Sequence, residues 1–167
     1  DIAVKFEVVE KPNDWTKEIK RITSNSPTLQ ARYDYWVAFN EYAYKHNKFA
    51  KTFNKRKAST DHWMTLSIGS SACYISLSQV RKFNHIIVEW YISDDKDLYH
   101  KFYSHKSSIE SEMGVELEWN ELPEKKASRI LVYKTVDFDD KDNWSEQFDW
   151  MMDMAMKMKL WMMEKII

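Results

Sequence analysis

The sequence predicts an α+β fold in which a sheet of about five antiparallel strands packs against helices. Short runs in which apolar and polar residues alternate predict strands with one buried face. Longer stretches with apolar residues three or four positions apart predict amphipathic helices. These segments follow one another in the order α-β-β-β-α-β-β-α. We expect residues 26–167 to form one domain and residues 1–25 to be a leader that belongs to a preceding region.

Residues that interrupt a strand pattern or cap a helix predict the structure of the leader and of the first helix of the domain. Residues 2–10 alternate as a strand does, Pro12 ends that pattern, and a short helix follows over residues 15–22. Thr28 can cap the next helix, over about residues 29–46. On a helical wheel its predicted core face is Leu29, Tyr33, Trp36, Val37, Asn40 and Tyr44. The opposite face carries Tyr35, Ala38, Tyr42 and His46.

Three strands are predicted after an irregular basic segment at residues 48–60. They cover residues 62–68, 72–80 and 85–92. Their predicted buried face is Met64, Leu66, Ile68, Cys73, Ile75, Leu77, Ile86, Val88, Trp90 and Ile92. Their other face is expected to be solvated and consists of Thr65, Ser67, Tyr74, Ser76, Ser78, His85, Glu89 and Tyr91.

The second half of the chain predicts two more helices and two more strands. A helix over residues 96–113 can be capped by residues 93–95 and stopped by Gly114. Strands over residues 115–122 and 127–136 meet around Pro123. An acidic stretch at residues 137–142 then precedes a long helix from about residue 143 to the end, where acidic residues complement the helix dipole.

Composition excludes several classes of site. The only glycines are Gly69 and Gly114, too far apart for a glycine-rich phosphate loop or a dinucleotide-binding fingerprint. Cys73 is the only cysteine, which excludes an internal disulfide and a cysteine-based zinc site and indicates a reducing compartment. No apolar run is long enough for a transmembrane helix. We therefore expect a cytoplasmic location and no membrane partner.

No catalytic residue, metal site or cofactor is predicted. His100 and His105 are five positions apart, so they lie on different sides of a helix and cannot chelate one ion. A restriction-type nuclease core needs a Glu-x-Lys or Asp-x-Lys on a strand, whereas Val132 stands two residues before Lys134. The carboxylates of the strands are interpreted as a solvated sheet face.

The basic segment is the first candidate binding surface. Its cations, with no acid among them, are Lys48, Lys51, Lys55, Arg56 and Lys57, and its flanking rings include Tyr42, His62 and Trp63. Cations that neutralise phosphates, next to rings that stack on bases, are typical of nucleic-acid grooves. The alternative is a solvated loop whose aromatic residues fill the core. Trp63 begins a strand, so we expect its ring in the core.

The last helix is the second candidate surface, because it is rich in Met and Trp. One interpretation is packing under the sheet, where Met fills irregular gaps. The other is that the flank formed by Trp150, Met154 and Trp161 meets a partner. That partner would be a second copy of the chain or an N-terminal nuclease domain.

Several short sequence motifs resemble those of a known family. They are Tyr35-Trp36 with Phe39, His62-Trp63-Met64 with Ser67-Ile68-Gly69-Ser70, Ile109-Glu110 with Gly114, Leu117-Glu118-Trp119 with Leu122-Pro123, and Arg129-Ile130. Together they resemble an uncharacterised bacterial and archaeal domain of unknown function found C-terminal to predicted restriction-endonuclease-like nuclease domains. The similarity covers about residues 28–165. It implies a DNA-related context, such as defence against foreign DNA, and transfers no catalytic residue.

These observations predict a non-catalytic accessory domain of a nuclease that contacts DNA or RNA through the basic segment. The resemblance implies that residues 5–15 follow the nuclease half, and that nuclease activity lies in that half. The alternative is a dimerisation or docking module that uses the last helix. An enzyme of an unrecognised type is a third reading.

Overall fold

The computed structural model describes residues 14–165, and the strand predicted over residues 2–10 lies outside them. The helices are α1 (residues 14–23), α2 (Pro27–Ala43), α3 (Asn47–Thr52), α4 (Lys96–Ser104), α5 (Lys106–Met113) and α6 (Trp144–Lys165). The strands are β1 (Trp63–Leu66), β2 (Cys73–Val80), β3 (His85–Ile92), β4 (Glu118–Asn120) and β5 (Ser128–Thr135). Single 3-10 turns cover Arg81–Phe83 and Lys141–Asn143.

The predicted α+β class and antiparallel sheet are confirmed. The strand order is β1-β2-β3-β5-β4, and every neighbouring pair is antiparallel. The chain leaves the sheet after β3, forms α4 and α5, adds β4 at the edge, and returns through β5 between β3 and β4. Paired residues of neighbouring strands point to the same face. Ser76, Glu89, Leu131 and Glu118 therefore form one row across four strands.

The inner face of the sheet is apolar and is covered by helices. The alternating residues predicted to be buried in β1, β2 and β3 are buried. Helix α6 lies across β3 and β2 and also contacts α2, α3 and α5. Its buried residues are Gln147, Phe148, Met151, Met152, Met154, Ala155, Met158, Trp161 and Met162. The inner face is thus closed, and the outer face is left to carry polar groups.

Helix α2 differs from its prediction at both ends and at Tyr35. It is capped by Ser26, whose Oγ accepts a hydrogen bond from the backbone N–H of Leu29, and Pro27 fills the first turn. It ends at Ala43. Tyr35, predicted on the outward face, is fully buried, and its hydroxyl donates to the Gln147 side chain over 2.7 Å. Burial raises the pKa of Tyr35 well above its usual range.

The misplacement of Tyr35 has a physical cause. Helix α2 has neighbours on more than one side, so a single apolar stripe does not identify its buried face. Four rings surround Tyr35 edge-on, with centroid distances of 4.9 Å to Trp144, 5.1 Å to Phe148, 5.3 Å to Phe138 and 5.7 Å to Trp36. Edge-to-face contacts of this kind stabilise a core beyond the area that they bury.

The helix predicted over residues 96–113 is two helices that meet at His105. His105 is both the C-cap residue of α4 and the N-cap residue of α5. Its ring lies against that of Trp161, with centroids 5.6 Å apart. The break turns Ile109 and Met113 of α5 into the core, where both are buried. A straight helix would keep its direction past His105, so the break sets where α5 packs.

The strand predicted over residues 115–122 is much shorter in the structure. Glu110 of α5 accepts hydrogen bonds from the backbone N–H of Leu117, over 2.8 Å, and from Trp119 Nε1, over 3.1 Å. These bonds hold the approach to β4 against α5 and lower the pKa of Glu110, mainly through the Leu117 N–H. Leu122 has a positive φ of 56°, which ends the extended backbone.

Lys96, at the start of α4, links that helix by hydrogen bonds to the connection between β4 and β5. Its ammonium contacts the carbonyl oxygens of Glu121, Leu122 and Ala127 and the Oγ of Ser128, with the last three at 2.9 Å. Three backbone acceptors thereby share one cation, in a connection that contains the positive-φ residue Leu122.

Changing Lys96 to Met should destabilise the domain, because the stem is kept while three carbonyls lose a charged donor. We expect a loss of about 2–3 kcal/mol in the free energy of unfolding. Urea unfolding followed by tryptophan fluorescence measures it. The matched control is Lys101→Met on the exposed side of the same helix, with an expected change within about 0.5 kcal/mol. Equal effects of the two substitutions would contradict the role of Lys96.

Candidate functional site

The basic segment divides into a short helix and a loop. Lys48 and Lys51 lie on α3, and Lys55, Arg56 and Lys57 lie in the loop that follows; all five are exposed. The prediction of an irregular segment was wrong for its first part. Phe49 and Phe53 turn into the core and pack against each other with centroids 5.0 Å apart. Because these rings point inward, the neighbouring cations Lys48, Lys51 and Lys55 point outward.

Helix α2 fixes the path of the loop. Asn40 Nδ2 donates a hydrogen bond to the carbonyl oxygen of Arg56 over 2.8 Å. Trp36 Nε1 donates to the carbonyl oxygen of Asp61 over the same distance. Both donors come from the buried side of α2, so the backbone of the loop is tied to the core at two points. The cationic side chains are thereby presented from an ordered backbone.

Two of the loop cations lie over aromatic rings. The ammonium of Lys55 is 5.9 Å from the ring centroid of Tyr44, and that of Lys57 is 5.2 Å from the ring of Trp15. Burial raises the pKa of Tyr44 to about 12, so its hydroxyl stays neutral. These contacts orient the lysine stems while leaving the charges exposed.

Three concavities on this surface share lining residues with one another. The basic groove, of about 360 Å³, is lined by Trp15, Tyr33, Glu41, Lys55, Arg56 and Lys57 among others. The linking pocket, of about 170 Å³, is lined by Arg56, Lys57, Ser59, Asp61, Trp63, Met64 and Thr65. The sheet pocket, of about 350 Å³, is lined by His62, Trp63, Tyr74, Ser76, Ser78, Glu89, Tyr91 and Arg129. Arg56 and Lys57 belong to the first two, and Trp63 to the last two.

Trp63 is exposed, so its expected place in the core was wrong. Its side chain is on the outer face of β1 and is 43% accessible. Met64 and Leu66 occupy the inner face, and alternation along a strand places Trp63 on the other side. Its ring meets the ring of His62 edge-on, with centroids 4.8 Å apart. The structure thus brings these two predicted site residues together with Arg56 and Lys57.

The sheet pocket contains an ion pair whose carboxylate is buried and whose guanidinium is partly exposed. Arg129 of β5 donates from Nη2 to Glu89 Oε2 over 2.9 Å and from Nε to the other carboxylate oxygen. The side chain of Glu89 is 3% accessible and that of Arg129 is 36% accessible. The hydrogen bond to Glu89 raises the pKa of Arg129. Glu89 is on the predicted face, but the expectation that it is solvated was wrong.

Hydroxyl groups surround this ion pair. Ser76 and Ser78 of β2 are buried, and Tyr74 is stacked on Tyr91 with centroids 5.0 Å apart and planes 25° apart. None of these four hydroxyls forms a hydrogen bond with another residue of the range 14–165. They line the pocket with unused donors and acceptors. A nearby imidazole, His62, has a lowered pKa because burial and the Arg32 guanidinium disfavour its charged form.

Tyr42 does not join the other predicted residues. Its hydroxyl donates to Asp149 Oδ1 of α6 over 2.7 Å, and this bond raises the pKa of Tyr42. Its ring packs against His46 and Phe148. Tyr42 therefore links α2 to α6 rather than facing the basic groove.

The predicted partner flank of α6 is mostly core. Met154 and Trp161 are buried, and Trp150 is half-buried. The exposed apolar residues of this helix are instead Leu160, 59% accessible, and Met163, 54% accessible. They line the α6 pocket, a concavity of about 420 Å³ that also includes Lys48, Thr52, Asp153, Met156, Lys157 and Lys159.

Over residues 14–165, no three His, Cys, Asp or Glu side chains come close enough to hold a metal ion. Burial raises the pKa of Cys73 to about 12, so its thiol stays protonated inside the core. No helix in this part of the chain has the length and apolarity needed to cross a membrane.

Comparison with protein families gives one assignment. Residues 31–165 match the family described as "Domain of unknown function (DUF4268)". Comparisons with curated proteins and with solved structures found no match. The matched range contains the sheet, α3 to α6 and α2 from its second turn onward, and therefore all of the residues of the sheet pocket.

Removing one partner of the buried ion pair should destabilise the fold. With Arg129 changed to Met, the Glu89 carboxylate stays buried without its donor, and we expect a loss of about 2 kcal/mol, because Arg129 is partly solvated. Changing both residues to Met should restore stability to within about 1 kcal/mol of the parent. Urea unfolding of the four proteins measures this cycle.

The control for this cycle is Lys157→Met, which removes an exposed ion pair with Asp153 and should change stability by less than about 1 kcal/mol. Additive losses from Arg129→Met and Glu89→Met would contradict the coupling.

Proposed function

We propose that this chain, which belongs to the DUF4268 family, is a non-catalytic domain that binds nucleic acid along the basic groove and the linking pocket. The observation that carries the proposal is the position of Trp63. Its exposed ring lines the linking pocket together with Arg56 and Lys57. One continuous surface thus offers cations for phosphates and a ring for a base.

The charges of the loop are available to a ligand. Within residues 14–165, Lys55, Arg56 and Lys57 form no ion pair with a carboxylate. The net charge of the chain is −1, so attraction to a polyanion depends on this local cluster. Two loop carbonyls accept hydrogen bonds from α2, so the loop backbone is already ordered. Binding therefore entails little further loss of backbone conformational entropy.

The wider role that we propose is that of an accessory domain of a nuclease. It rests on the resemblance to domains that follow restriction-endonuclease-like halves, and the absence of a metal-binding cluster in residues 14–165 is compatible with it. The sequence of the full-length gene product tests it. A preceding strand pair with an acid and a Glu-x-Lys would support the accessory role, and a preceding domain of another type would contradict it.

Reversing the charge of the loop should abolish binding. We expect the parent to bind labelled DNA or RNA at low salt, and the variant Lys55→Glu with Arg56→Glu and Lys57→Glu to bind at least tenfold more weakly. Fluorescence anisotropy across a salt series measures this effect. Since each phosphate contact releases counterions, the logarithm of the parent's affinity should fall linearly with the logarithm of the salt concentration, and the variant's slope should be smaller.

The control variant is Lys125→Glu with Lys126→Glu and Lys134→Glu. These residues are exposed, carry the same charge change and lie outside all three concavities. It should retain most of the affinity. Absence of binding by the parent, or equal losses in the two variants, would refute the proposed surface.

A second candidate function is self-association through the α6 pocket. The observation that favours it is the pair of exposed apolar side chains, Leu160 and Met163, beside both signs of charge at Lys48 and Asp153. A two-fold arrangement can bury the apolar pair of each copy and place each Asp153 near a Lys48 of its partner. The occupant that we propose is therefore a second copy of this chain.

Light scattering at several protein concentrations tests self-association. We expect a concentration-dependent dimer that Leu160→Glu with Met163→Glu converts to a monomer, because buried carboxylates without partners are costly. The matched control, Ser107→Glu with Ser108→Glu on exposed α5 positions, should remain dimeric. A parent that is monomeric at every concentration would exclude this second function.

A further inference from the structure

The sheet pocket contains polar groups that contact with phosphates does not require. Phosphate binding needs exposed cations and backbone N–H groups. This pocket instead has a carboxylate that is 3% accessible and bonded to Arg129, together with two serine hydroxyls that form no hydrogen bond with another residue of the described range. These hydroxyls are not among the buried atoms that lack a partner, so they are open to the pocket and available to a polar ligand.

We propose that the sheet pocket binds a single unpaired guanine base. The inference deepens the proposed function, because the same nucleic acid that lies in the basic groove would place one base in this pocket. The two claims rest on different residues. The loop cations carry affinity for the strand, and Glu89 with Arg129 carries the choice of base.

The choice of guanine follows from the ion pair. A carboxylate has about four acceptor positions and a guanidinium has five donors, and two of each are used between Glu89 and Arg129. Both carboxylate oxygens face Arg129, whereas the guanidinium, which is 36% accessible, retains a second N–H fork formed by Nη1 and the other hydrogen of Nη2. The Hoogsteen edge of guanine presents two adjacent acceptors, O6 and N7, and such a fork binds both. On the corresponding edge adenine has an amino donor beside N7, cytosine has an amino donor, and thymine has a single acceptor.

The walls of the pocket suit a flat ring. Trp63 is exposed at one side, and the Tyr74–Tyr91 stack forms another part of the lining. Unpaired bases commonly stack on aromatic side chains, and their Watson–Crick and Hoogsteen edges are read by polar groups. The volume of about 350 Å³ is within the range of about 300–1,000 Å³ that is usual for small-ligand sites.

The neighbouring surface favours a nucleotide over an uncharged ligand such as a sugar. Trp63 lines both the sheet pocket and the linking pocket, and the latter includes Arg56 and Lys57. A base in the sheet pocket therefore has cations within reach of its own strand. His62, at the rim, is an additional group near the path of the backbone.

The test compares oligothymidylates of about 12 nucleotides that carry G, A, C or T at one central position. Fluorescence anisotropy should show about tenfold or tighter binding of the G-containing strand, as for a bidentate base contact. Ser76→Val, which fills the pocket floor and leaves the ion pair intact, should remove this preference. Thr135→Val, on the same face but outside the pocket, should keep it.

Glu89→Gln is the second pocket variant, with thermal unfolding used to verify its fold. It should also lose the preference, and if it fails to fold, Ser76→Val decides alone. The variant with three loop residues changed to Glu should bind all four strands more weakly and keep their ratio. Equal affinities of the parent for the four strands, or an unchanged preference in Ser76→Val, would overturn the assignment.

Mononucleotides separate this inference from the proposed function. Guanosine monophosphate should perturb the NMR signals of the parent more strongly than adenosine, cytidine or uridine monophosphate, and Ser76→Val should abolish the difference. If guanosine monophosphate binds while no oligonucleotide does, the groove is refuted and the pocket stands. If oligonucleotides bind without base preference, the groove stands and the pocket is refuted.

Discussion

The packing of α6 against the sheet is the contact on which the rest of the domain depends. Near its C-terminal end Trp161 meets Trp90 and Phe102, and near its start Phe148 meets Tyr35 and Phe39. Within residues 14–165 the indole N–H groups of Trp90 and Trp161 have no hydrogen-bond partner. Each costs about 1–3 kcal/mol, so the packing of these rings has to outweigh that cost. Because α6 follows all five strands in sequence, it closes the core through contacts between residues far apart in the chain.

The closed inner face determines where a binding site can form. The helices cover one face of the sheet, and the outer face receives the alternate residues of every strand. Glu89 and Arg129 meet there because β5 returns beside β3, with Tyr91 opposite Arg129. Trp63 reaches the same face from the edge strand β1, and the loop before it brings Arg56 and Lys57. The site is thus assembled from segments far apart in sequence, through strand pairing that α6 supports.

The sequence predicts features that depend on the local periodicity of apolar residues. It does not predict features that depend on which strands pair and in which register. Alternation identifies the strands and their inner faces, and the same rule applied to Met64 and Leu66 would have placed Trp63 outside. Tyr35 escapes prediction because α2 has neighbours on several sides. The pairing of Glu89 with Arg129 requires knowing that β3 and β5 are adjacent and in which register. The basic loop is readable from sequence, whereas the sheet pocket is not.

Stability alone does not account for the ion pair between Glu89 and Arg129. Desolvating two charges offsets most of their attraction, and well-packed apolar residues in their place are often as stabilising or more so. A sheet row that already contains Leu131 could accommodate such residues. Lys157 with Asp153, by contrast, is exposed and costs little to form. The placement of a carboxylate and a guanidinium at the floor of a concavity, with free hydroxyls around them, is therefore better explained by recognition of a polar ligand than by folding.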